Sequence, residues 1–239
     1  MYSEKRKVMF SDVREDETMD ISKITDYFQD CGTNHTESVG LSIDKLTEMG
    51  LAWIVVSWQI DVIRAPRLGE TVEVATWPYK GAGRLYAYRN FTITDSTGEI
   101  IVKANSFWVM LDLRRMTITG ISEEVASYYT VSDKLDMVYK PRKIQNGTSD
   151  FAAEPFTVPR AYIDRNSHMN NAWYVRAALE YLPEDFTVGE MRAEFRNSAK
   201  KGDIIYPKTE TGEGRIVVYL NDEAGNPYSV IELTNKGTE

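Results

Sequence analysis

The sequence predicts an α+β fold in which a helix is wrapped by an antiparallel sheet, and it predicts that unit twice. Three observations carry this. Apolar residues at helical spacing, Ile21, Ile24 and Phe28, precede four stretches of period-2 alternation. A second helical stripe, Val175, Ala178, Leu179 and Leu182, precedes four more. Turn landmarks also recur in order: Gly69-Glu70 is matched by Gly202-Asp203, and Asp95-x-x-Gly98 by Asp222-x-x-Gly225.

Each element has a local reason. The first helix is expected over residues 20–28, with Thr18 or Asp20 accepting from its free N–H groups. Strands are expected at 53–63, 71–77, 84–94 and 100–111, divided by "RLGE", "KGAGR" and "DSTGE" and read as a meander. "ISEEVASYY" predicts a short helix and "KPRKIQNGTSD" a polar connector. The second helix begins near Asn171 and is stopped by Pro183. Strands follow in "GEMRAEF", "DIIYPKTE", "RIVVYLND" and "PYSVIELT". One long helix wrapped by a sheet, present twice on one chain, is a tandem hotdog. The expected parts are residues 1–119, a linker over 120–154, and residues 155–239.

Composition narrows the function. With 239 residues, 42% apolar and 27% charged, the chain reads as globular rather than disordered. A net charge of -8 argues against nucleic acid as the main partner. One cysteine, Cys31, excludes an internal disulfide and a thiolate metal site. No apolar run approaches the roughly 20 residues of a membrane span, and the N-terminal "MYSEKRKVMF" does not read as a signal peptide. The expectation is a cytoplasmic monomer or homodimer without stable membrane insertion, without cofactor and without metal. The glycosylation-type triplets at Asn34, Asn90 and Asn146 then read as chance.

The chemistry concentrates in "DRNSHMNN", residues 164–171, just before the second helix. If 164–170 runs extended, alternation puts Asp164, Asn166, His168 and Asn170 on one face and Arg165, Ser167 and Met169 on the other. A carboxylate, a carboxamide and an imidazole then meet beside the free N–H groups and positive end of a helix. Hydrolysis of an activated acyl group needs such parts: a base for water, a donor for the developing oxyanion, and a group that orients both. Asn170 or Asn171 can equally cap the helix, and Asp164 can pair with Arg165 or Arg192.

This octet resembles the D-x-N-x-H-x-N-N signature of the acyl-acyl-carrier-protein thioesterases of plant plastids and their bacterial relatives. The likeness extends to "VMFSDVREDETMDISKITDYFQDCGTNH", to "IRAPRLGETVEVATWP" and to "SFWVMLDLRRMTI". It implies hydrolysis of a fatty acyl thioester on acyl carrier protein, with chemistry in the second half and acyl selection mostly in the first. On that reading Asp164, Asn166 and His168 are catalytic, and Asn170, Asn171 and Ser198 bind substrate. Arg165, Arg192, Arg196, Lys200 and Lys201 would dock the acidic carrier, since a chain of charge -8 must meet it through a local positive patch.

One departure matters. Many plant members carry a Glu-Cys pair on the strand after this helix. Aligning "EFRNSAKKGD" on Glu194, Arg196 and Gly202-Asp203 puts Ser198 and Ala199 there. Ala199 excludes a cysteine acyl-enzyme, and Ser198 can bond a water but is no carboxylate base. The work then falls to Asp164 and His168, or Glu194 enters through a strand irregularity. A rival nucleophile is Cys31 with His35, on one helical face if the first helix runs that far. Trp53, Trp58, Trp77, Tyr86, Tyr88, Phe107 and Trp108 make the first half the better lining for an acyl chain. Three readings follow: a carrier-protein thioesterase, a hydrolase preferring coenzyme A or another acyl thioester, and a weakly catalytic acyl-thioester-binding module.

Overall fold

A computed structural model describes residues 1–79, 85–145 and 151–237. The expected turn at 80–84, with the head of the third predicted strand, and the Asn146 triplet lie outside these residues. The chain forms two compact units, Met1–Lys140 and Pro141–Glu239.

In the first unit the strands are β1 (Tyr2–Lys7), β2 (Leu51–Val62), β3 (Thr71–Tyr79), β4 (Ala87–Thr94), β5 (Ile100–Asp112) and β6 (Thr117–Thr119). All pairings are antiparallel, in the order β1-β3-β4-β5-β2, with β6 on β5. Only β3, β4 and β5 form the expected meander; β2 pairs with β5 rather than with β3. The physical reason is the segment between β2 and β3. Pro66 gives its carbonyl to the Met19 N–H at 2.7 Å, and Gly69 takes φ 80, so the chain leaves the sheet instead of making a hairpin. Pairing with β5 then sets Trp58, Ile60 and Val62 opposite Ser106, Ala104 and Val102.

Helix α1 (Ile21–Ser38) runs ten residues beyond its expected end at Phe28. Its buried stripe continues through Cys31, Gly32, His35 and Thr36, and the Thr33 and Thr36 hydroxyls donate to the carbonyls of Gln29 and Gly32. Packing outweighs the ~1 kcal/mol that glycine costs inside a helix. Phe28 lies against Phe91 and Trp58, with centroids 5.1 and 6.0 Å away. Two short helices complete this unit, α2 (Ile43–Glu48) and α3 (Glu123–Ser127). Val125 of α3 is buried with Leu41, Leu46 and Met110.

The second unit repeats the strand plan. Strands β7 (Phe151–Ala152) and β8 (Phe156–Thr157) precede helix α4 (Asn171–Leu179). Then come β9 (Val188–Phe195), β10 (Ile204–Gly212), β11 (Arg215–Asn221) and β12 (Pro227–Asn235). The order is β9-β12-β11-β10, with β7 and β8 both on β10. Helix α4 has nine residues and ends well before Pro183, leaving Leu182 outside it. Each unit is therefore an antiparallel sheet with few helices, the α+β class that the alternation predicts. No helix among the described residues is long and apolar enough to cross a membrane.

Candidate active site

The polar octet is a hairpin loop, not an extended run. Ile163 bridges to Met169, and between them the Asp164 N–H donates to the His168 carbonyl at 2.9 Å and the Ser167 N–H to the Asp164 carbonyl at 3.1 Å. Ser167 takes φ 63 to close the turn. The expected alternation of faces therefore does not exist. Asp164 folds the loop instead: its Oδ1 accepts from the Asn166 N–H at 2.7 Å and more weakly from the His168 N–H at 3.5 Å. The reversal lets Met169 bury at 3% exposure and delivers Asn170 to the mouth of α4.

The first unit builds the same loop from other residues. Val13 bridges to Met19, the Arg14 N–H donates to Thr18, the Glu17 N–H donates to Arg14, and Glu17 takes φ 61. There Arg14, Asp16 and Thr18 stand where the second loop has Asp164, Asn166 and His168. The backbone form thus does not require an aspartate, an asparagine and a histidine at these places.

What those three side chains do is only partly spoken for. The Asp164 carboxylate turns toward backbone amides rather than toward the imidazole, so no Asp–His side-chain pair forms. The His168 ring is half-buried and makes no hydrogen bond among the described residues. Asn166 is exposed at the loop tip. Asn170 is the cap of α4, its Oδ1 accepting from the Ala172 N–H at 2.8 Å. The Asn171 N–H, at the first helical position, stays without a hydrogen bond among the described residues.

A residue that the sequence reading left as plain helix ties this loop to the next turn. Tyr174 is 2% exposed, and its hydroxyl accepts from the Ala199 N–H at 2.9 Å while the Ala199 carbonyl accepts from the Met169 N–H at 2.8 Å. Burial pushes the Tyr174 phenol up to about 12, so it stays protonated. The usable signal was a tyrosine on the buried stripe, since a buried hydroxyl has to find a partner. Ser198 is exposed beside this clamp. Glu194 does not turn toward the loop: it is 3% exposed, accepts from the Ile144 N–H, and pairs with Arg196 at 2.9 Å. The irregularity of the β9–β12 pair falls opposite Val188, at the other end of β9.

The basic residues separate into two groups. Arg165, Lys200 and Lys201 are exposed on this loop and on the turn beside it. Arg192 is committed to Glu232 at 2.7 Å and to the carbonyls of Pro141 and Lys143, and Arg196 is held by Glu194. Burial opposes ionisation of Glu232, but Arg215 and Arg192 outweigh it and hold this carboxyl below its usual range.

The Cys31–His35 rival fails on geometry although α1 does carry both. The Cys31 thiol points to the Val74 carbonyl at 3.6 Å, and burial raises it to about 12. His35 Nδ1 accepts from Arg89 Nη1 at 2.7 Å, because a guanidinium can only donate. The aromatic set is also divided: Trp58 contacts Trp108 and Phe91, while Tyr88 meets Phe107 edge to face and lies beside Tyr79. Among the described residues no group of three or more His, Cys, Asp or Glu could hold a metal ion.

Family models for the acyl-ACP thioesterase N-terminal domain and C-terminal domain match residues 1–129 and 145–224. The chain belongs to the acyl-ACP thioesterase family. It is 25% identical over 232 residues to oleoyl-acyl carrier protein thioesterase 1, chloroplastic, of Arabidopsis thaliana, covering 88% of this chain and 64% of that protein. It is 28% identical over 220 residues to dodecanoyl-[acyl-carrier-protein] hydrolase, chloroplastic, of Cinnamomum camphora, covering 85% and 57%. The chain therefore spans less than two thirds of the length of either. An acyl-ACP thioesterase from Bacteroides thetaiotaomicron has the same fold, with a TM-score of 0.89 over 98% of this chain and 97% of that one at 19% identity. Within this chain, the signature octet and the exposed lysines share one corner of the second unit, where the Met169 N–H donates to the Ala199 carbonyl.

Proposed function

We propose that this chain hydrolyses fatty acyl-[acyl-carrier-protein] thioesters to free fatty acid and carrier protein, on two hotdog units in tandem. The carrying observation is the loop that occurs twice: the fold is satisfied by Arg14, Asp16 and Thr18, yet the second copy has Asp164, Asn166 and His168. Family membership supports the same reading.

In this mechanism His168 takes a proton from water as the water oxygen attacks the thioester carbonyl carbon. The oxyanion accepts from the Asn171 N–H at the positive end of α4. The C–S bond then breaks, and His168 returns its proton to the leaving thiolate. Asp164 holds the loop through Oδ1 and offers Oδ2 to the attacking water. Asn166 steadies water from the loop tip, and Asn171 and Ser198 contact substrate. Asn170 serves through the cap. Arg165, Lys200 and Lys201 face the acidic carrier, because Arg192 and Arg196 are occupied by buried carboxylates.

The test is a panel of acyl-carrier-protein thioesters of varied chain length beside matching acyl-CoA thioesters, with released thiol measured. Turnover should favour the carrier-bound substrates. A Lys200→Glu, Lys201→Glu chain should raise KM for the carrier substrate about ten-fold while leaving the acyl-CoA value nearly unchanged. Equal effects on both substrates would remove the docking assignment, and no thiol release from any of them would remove the activity.

A further inference from the structure

Arg89 is a buried cation without a counter-ion among the described residues. It stands in the middle of β4 at 8% exposure, and only its Nη1 is engaged, donating to His35 Nδ1 at 2.7 Å and to Thr76 Oγ1 at 3.2 Å. The Tyr129 ring lies 5.5 Å from the guanidinium carbon. Among the described residues no carboxylate forms an ion pair with it, and Nε and Nη2 make no hydrogen bond. His35 supplies no negative charge and stays neutral near pH 7, since burial and the Arg89 charge hold it at about 4.

A second donor lacks an acceptor in the same row. Register places Arg89 opposite Ser106 and Ser106 opposite Trp58, so the three are cross-strand neighbours on β4, β5 and β2. Ser106 is used up, accepting from Trp108 Nε1 at 2.7 Å and donating to the Arg89 carbonyl at 3.2 Å. Trp58 is 2% exposed, and its Nε1 has no partner among the described residues. Around the row the surface is hydrocarbon: Phe91 and Phe28 pack on Trp58 at 5.0 and 6.0 Å. For stability alone, an apolar side chain in place of an unpaired buried guanidinium would serve as well or better.

We propose that Arg89 and Trp58 Nε1 recognise the carboxylate end of a long-chain alkyl molecule inside the first unit. A planar guanidinium with two free nitrogens matches a carboxylate, and the neighbouring rings match an alkyl chain. Two sources share this chemistry, a free fatty acid and the far end of an ω-carboxyacyl chain. The inference goes beyond the hydrolytic reading and does not depend on it, because binding to this unit needs neither Asp164 nor His168.

Dodecanoate, dodecanedioate monomethyl ester and 1-dodecanol are titrated calorimetrically into wild type, Arg89→Met, Arg89→Lys and Trp58→Phe. Both carboxylates should bind wild type at least ten-fold more tightly than the alcohol. Arg89→Met should abolish that preference, Trp58→Phe should reduce it several-fold, and Arg89→Lys should retain part of it. Without ligand, Arg89→Met should melt at or above the wild-type temperature, which separates lost binding from lost fold. If that variant does not fold, the lysine and phenylalanine variants decide. A preference unchanged in them, or no carboxylate preference in wild type, overturns the proposal. Turnover then separates the sources: faster hydrolysis of ω-carboxyacyl than of plain acyl thioesters, lost with Arg89, marks a substrate end. Inhibition by dodecanoate without that preference marks a free fatty acid.

Discussion

Asp164 has one observed duty and one proposed duty, and substitution can separate them. One oxygen ties down the Asn166 and His168 amides, and the proposed mechanism gives the charge a part in catalysis. An asparagine keeps an acceptor for those amides, so Asp164→Asn should leave the melting temperature nearly unchanged and still lower kcat at least ten-fold. Asp164→Ala loses the loop bonds as well and should cost about 1 kcal/mol of stability, in line with other side-chain caps. Calorimetry beside steady-state kinetics reads both; a fully active asparagine variant would confine Asp164 to structure.

At the same scale, His35 gives the first unit an acid limit. Its ring is held neutral at about 4 in the fold against 6.5 in the open chain, so between those values the unfolded state binds the proton and the folded state does not. Stability is complete above pH 6.5 and drains away as pH falls toward 4. His35→Gln, which keeps an acceptor for Arg89, should flatten that limb of a urea midpoint against pH curve. An unchanged slope would assign it to other groups. The sequence showed His35 only as a possible mate for Cys31, because its actual partner, Arg89, lies far along the chain on β4.

Among the elements, the strands were the most legible and the loop before α4 the least. Alternation located β9 through β12 to within about two residues, since a half-buried strand needs that period. β1 escaped notice because "YSEKRK" covers β3 with charged and polar side chains. The end of α1 was hidden as well, its continuation depending on threonine back-bonds and burial beyond Gly32. The octet reads as extended only if Asp164 is denied its backbone amides. Once that bond forms, the chain reverses and Asn170 becomes a cap. Asn170→Ala should therefore cost about 1 kcal/mol. In a denaturant titration, the same loss should follow Asp20→Ala, the matching cap of α1. No loss from either would mean these caps do not hold their helices.

Across the whole molecule, a chain of net charge -8 presents Arg165, Lys200 and Lys201 beside a half-buried histidine with no partner among the described residues. The family and the places of most strands could be read from the residues; the pairing of β2 with β5 and the division of labour among basic side chains could not. Arg192 and Arg196 looked available until Glu232 and Glu194, distant in sequence or alternate on the strand, claimed them. The central claim is that His168 moves the proton in thioester hydrolysis. The most direct measurement is turnover of one saturating acyl-carrier-protein thioester by wild type and His168→Ala. In the variant, kcat should fall about 10²- to 10⁴-fold, with KM within a few-fold of wild type. A His168→Ala chain that turns over within about three-fold of wild type would contradict the central claim.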